Sequence, residues 1–144
     1  MDSIQIFSYG YSLEVAMPFE EAVRKTLAVF QAQGFGVLTE IDVQAKMKEK
    51  IGKEMEQYVI LGMCNPALAA SALDAERNIG LLLPCNVIVR EAEGKVVIGA
   101  QRPSLFSTLV DHPEIKQVAE EAEEKILAAL RLIAESPSTI SPRR

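Results

Sequence analysis

Apolar residues along this chain recur at two different periods, and the switches between them mark out the elements. From Ile4 to Val15 they alternate with polar residues, as a strand requires, but Phe7, Tyr9, Tyr11, Leu13 and Val15 are out of step with Ile4 and Ile6. That slip predicts one strand with a bulge or bend near Phe7. At Pro18 the period lengthens. Phe19, Val23, Leu27 and Phe30 fall on one side of a helix that Pro18 opens, Glu20 and Glu21 favour at its positive end, and Gly34 stops. Phe35, Val37, Thr39, Ile41 and Val43 then alternate again and predict a half-buried strand, followed by a short lysine-bearing helix over 44–52.

Tyr58–Cys64 is apolar on both parities, a strand ended by Asn65-Pro66, with an alanine-rich helix over 67–77 after it. Two further strands, Leu81–Arg90 and Lys95–Gln101, flank Glu91-Ala92-Glu93-Gly94, a hairpin turn with glycine. Asp111 or His112 caps a last helix with Pro113 in its first position. Ile115, Val118, Ala122, Ile126, Ala129 and Ile133 form its apolar stripe, and Glu120, Glu121, Glu123 and Glu124 are expected to face water. Strand, helix, four strands with short helical insertions, and helix make an α+β fold. Its first and last helices are expected on one face of a curved, mainly antiparallel sheet. Residues 1–135 form one domain and 136–144 a C-terminal tail.

Two helices cover only one face of such a sheet. Ile60, Leu82 and Ile88, or their opposite-parity neighbours, would leave the second face apolar, so a homodimer is expected. The competing arrangement folds the insertion at 66–77 over that face.

Composition narrows the partners. Of 144 residues, 15 are basic and 20 acidic, a net charge of −5 that argues against nucleic acid, whose binding needs a basic footprint. The single histidine, His112, excludes any site built from several imidazoles, and nothing in the chain calls for a cofactor or metal. No apolar run is long enough for a membrane span, and the N-terminus does not read as a secretory signal. The expected compartment is the cytoplasm, where both cysteines stay reduced.

Those cysteines are the first candidates for chemistry, because each is followed by asparagine at a strand end: Cys64-Asn65 and Cys85-Asn86. If their strands are neighbours the thiols approach each other, and a redox pair needs their Cα atoms within about 7 Å. Against that, cysteine is a common buried filler, no CxxC is present, and asparagine serves turns. The carboxylates Glu40 and Asp42, and the lysines Lys46, Lys48, Lys50 and Lys53 interleaved with glutamates, read better as solvated faces than as sites. Ser104, Ser107 and Thr108 near His112 lack a third partner and read as a polar connecting loop. Dinucleotide, phosphate-loop and nucleophile-elbow motifs are absent.

The run Tyr58-x-Ile60-Leu61-Gly62-x-Cys64-Asn65-Pro66-x-Leu68-Ala69, followed by Ile79-Gly80-Leu81-Leu82-Leu83-Pro84-Cys85-Asn86-Val87, resembles the signature of domain-of-unknown-function family 302, and Thr39-Glu40-Ile41-Asp42 before a lysine-rich helix fits it too. The resemblance spans about residues 4–134. It implies a small prokaryotic protein with no established reaction, a fold similar to one half of the TATA-box-binding protein, and homodimers. Arg102-Pro103 stands where members often carry Asp-Pro. Two functions remain: a non-enzymatic homodimeric module for a small ligand or a protein, or a thiol-dependent redox or sulfur-transfer protein using Cys64 and Cys85.

Overall fold

The computed structural model of the protein describes residues 4–135; the expected tail at 136–144 lies outside the described residues. One antiparallel sheet of six strands has the order β1-β2-β6-β5-β4-β3, built from β1 (Gln5–Phe7), β2 (Gly10–Val15), β3 (Gly36–Asp42), β4 (Tyr58–Cys64), β5 (Cys85–Ala92) and β6 (Lys95–Gln101). The helices are α1 (Phe19–Ala32), α2 (Val43–Ile51), α3 (Pro66–Ala75), α4 (Ser104–Leu109) and α5 (Pro113–Glu135), with a 3-10 turn over Arg77–Leu82. The α+β class and the antiparallel sheet agree with the sequence.

Helices α1 and α5 pack together on one face of the sheet. Beneath them lie Tyr11, Leu13 and Val15 of β2, Val59, Leu61 and Met63 of β4, Val87 and Val89 of β5, and Ile98 of β6, all buried. Phe30 closes α1 against Phe35, and Gly34 turns the chain between them at φ +90°. That conformation suits only a residue without Cβ. Helix α5 runs unbroken for 23 residues, its first turn capped where Glu114 N–H donates to His112 Nδ1 at 3.1 Å.

Several expectations need correcting. The first strand is a hairpin: Phe7 pairs with Gly10 across Ser8-Tyr9, so the change of parity marks a turn and not a bulge. The segment Leu81–Arg90 starts as the 3-10 turn, which removes Leu82 from the sheet and places it beside Ile79 and Phe106. Strand β3 is exposed along its whole length because it is the sheet edge and a register shift between Val37 and Thr39 breaks its alternation. Residues 104–109 form a helix, in which Ser107 Oγ donates to the Ser104 carbonyl, so no serine–histidine pair arises.

The insertion does not cover the second face. Helix α3 packs on α5, and Ala72 joins Phe106, Ile115 and Ala119 in a satellite cluster on the helical side. On the outer face, pairing across four strands aligns Gly99, Ile88, Ile60 and Ile41 in one row. Ile41 is 43% exposed.

Candidate functional site

Helices α3 and α5 meet through alanines, and small side chains keep the backbones near while leaving the space between them unfilled. The result is a cavity of about 310 Å³ at the Cys64 end of β4. Its floor is Met63, Cys64 and Cys85; its walls are Leu68, Ala69, Ala72 and Leu73 of α3 and Ile115, Val118, Ala119 and Ala122 of α5. Phe106 of α4 and the Leu83-Pro84 segment close the remaining sides. Leu38 contributes from β3. It is the residue left over where Val37 pairs with Met63 and Thr39 with Gly62, so the irregularity turns its side chain to the rim, where it is 65% exposed.

The four residues singled out in the sequence divide between the two faces. Cys64, Asn65 and Cys85 line the cavity together. Asn86 lies on the outer face, in an open groove of about 560 Å³ with Tyr9, Tyr58, Ile88, Arg90 and Gln101. The pleat of β5 turns Asn86 to the face opposite Cys85, whereas at the very end of β4 both Met63 and Cys64 reach the cavity. Asn65 has a local role as well: its Oδ1 accepts from Leu68 N at 3.4 Å and caps α3.

Both thiols are free. Met63 is the register partner of Cys85, and Cys64 follows Met63, so antiparallel spacing puts the two cysteine Cα atoms about 6 Å apart. Burial pushes the Cys85 thiol up to about 11, and the neighbouring Cys64 charge adds to the shift. At neutral pH Cys85 is therefore a neutral thiol, weak as a nucleophile.

A polar cluster missed by the sequence reading stands behind α4. Glu123, expected in water, is turned inward: its Oε2 accepts a hydrogen bond from the Tyr11 hydroxyl and its Oε1 accepts from Ser104 N at 2.8 Å. Arg102 Nε sits 3.5 Å from Oε2, at ion-pair distance, and its Nη1 donates to the Phe7 carbonyl at 3.3 Å. Burial alone would raise the Glu123 carboxyl, but the Tyr11 and Ser104 hydrogen bonds and the Arg102 charge outweigh it and hold the carboxyl below its usual value. Burial, then the Glu123 hydrogen bond and charge, push the Tyr11 hydroxyl up to about 12. The signal was present in the sequence: Glu123 stands four residues after Ala119 and three before Ile126, on the flank of the buried stripe. The cluster ties β2, α4 and α5 together and so fixes the cavity wall that carries Phe106.

The other charged residues named above lie at the surface. Lys46, Lys48, Lys50 and Lys53 are exposed, with Lys46 paired to Glu49 and Lys48 to Glu54. Asp42 caps α2 by accepting from Ala45 N at 2.9 Å. Among the described residues no three His, Cys, Asp or Glu side chains gather to hold a metal ion, and no helix is long and apolar enough to cross a membrane.

No curated protein matches the chain. A solved structure, that of an uncharacterized conserved DUF302 protein from Bacillus stearothermophilus, is similar at a TM-score of 0.80 and 29% identity, over 87% of this chain and 98% of that one. The model of the family described as Domain of unknown function DUF302 matches residues 11–133, most of the chain, and this protein belongs to that family.

Proposed function

We propose that the protein is a non-catalytic, homodimeric module that binds a small molecule in the cavity between α3, α5 and the ends of β4 and β5. The observation that carries this reading is the cavity itself. Its volume of about 310 Å³ falls at the lower end of the range of small-molecule sites, and such sites are mostly apolar with few polar groups, as this one is.

Native mass spectrometry of the purified protein tests it. The expected spectrum contains an organic ligand that is released on denaturation and missing from Ala69→Phe, in which a ring fills the space. A ligand retained equally by that variant would place binding elsewhere. Thiol chemistry is the second reading, favoured by the proximity of Cys64 and Cys85. It ranks lower because the Cys85 thiol is held protonated.

The dimer is supported by the outer face. Ile88, Ile60 and the 43%-exposed Ile41 form an apolar row that runs out to the edge strand β3, a strip that a second copy of the chain would cover.

A further inference from the structure

The chemistry of the cavity wall goes further than its volume. Of the 18 described residues that line it, none is Asp, Glu, Lys, Arg or His, and its polar side chains are the amide of Asn65 and the two thiols. Asn65 already spends its Oδ1 on the cap of α3. The charged cluster behind α4, Glu123 with Arg102, is engaged with Tyr11 and Ser104 and is not part of the lining.

An ion entering this space would lose its hydration and meet no opposite charge, a loss that apolar contact does not offset. A neutral molecule has no such penalty. Size limits it as well: an apolar cavity of about 150 Å³ takes one benzene ring. Here the volume is about 310 Å³, room for two fused rings or a branched chain of similar bulk. Access is at the rim, where the register irregularity of β3 leaves Leu38 apolar and 65% exposed.

From these observations we infer that the cavity selects an uncharged, apolar molecule of about two fused rings, admitted past Leu38. The inference rests on the pocket reading above and adds the class of ligand to it.

Three probes with the same ring system separate the two claims: naphthalene, 2-naphthoate and 2-naphthylmethylammonium, each titrated into the full chain and followed by naphthyl fluorescence. The expected result is one naphthalene per chain, with both ions at least tenfold weaker. Ala69→Phe and, as a second filled variant on the opposite wall, Val118→Phe should abolish the naphthalene signal. Leu38→Asp, which puts a charge at the exposed rim without filling the space, should weaken it. If either ion binds within tenfold of naphthalene and is lost in the filled variants, the selection for neutral ligands is wrong while the pocket stands. If none of the three binds, the pocket reading falls and the inference with it.

Discussion

At the scale of single residues, two environments differ from what water would provide. Cys85 is the first. Its thiol titrates near about 11, above the ordinary value of 9.0, because burial and the Cys64 charge both oppose the thiolate. In Cys64→Ser the rate of iodoacetamide alkylation of native Cys85 should therefore keep climbing well beyond pH 9; a plateau by about pH 9 would contradict the burial argument. Since the folded value lies above the unfolded one, this group leaves stability intact below about pH 9 and erodes it between about 9 and 11.

Glu123 shifts the other way. Its carboxyl is held below the usual 4.5, so its contribution is complete above that value and disappears as pH falls through the folded one. Glu123→Gln is expected to cost about 1–2 kcal/mol at neutral pH, the scale of hydrogen bonds to a charged group with allowance for partial exposure. In urea titrations the gap between variant and parent should narrow below pH 4.5. A gap that stays constant to pH 3 would mean that the charge is not what stabilises the cluster.

Among the elements, the β5–β6 hairpin offers the plainest test. Ala92 pairs with Lys95, so Glu93-Gly94 is a two-residue turn with φ of 52° and 84°, as a type I′ turn needs. Glycine suits this at position 94, but glutamate at 93 is strained by its Cβ. Glu93→Asn should stabilise the protein by about 0.5–1 kcal/mol, visible as a higher urea midpoint at unchanged slope.

Strands and helices with complete local signals were legible from the chain alone. Helix α5 has its cap, its proline and its stripe within one stretch, and β4 and β6 have their exact limits. The 3-10 turn was not legible, because Leu81-Leu82-Leu83 is apolar enough to pass for a strand, while the turn is favoured by the Glu76 cap on Asn78 N and by packing of Leu82 and Leu83 on the cluster of Ile79 and Phe106. The edge position of β3 was equally hidden, since alternation records a pattern and not what lies against it.

For the whole molecule, the outer face of the sheet is the place where the proposed dimer is tested. The isoleucine row predicts a mass near twice 15.8 kDa in sedimentation equilibrium at micromolar concentration. Ile60→Asp, a half-buried position on that face, should give a folded monomer with unchanged helical circular dichroism. A parent protein that sediments at 15.8 kDa throughout would rule the dimer out.

The amphipathic helices α1 and α5, the limits of β4 and β6 and the antiparallel class of the sheet are properties of short segments, and local sequence determined them. What only tertiary structure decided is which segments share a space. Strand order brought Cys64 and Cys85 to one wall while the pleat sent Asn86 to the other face. Packing of α3 on α5 turned scattered alanines into a cavity, and the approach of β2 to α5 drew Glu123 out of water onto Tyr11. Each of these joins residues far apart in the chain, and periodicity within a single element holds no information about the partner it meets.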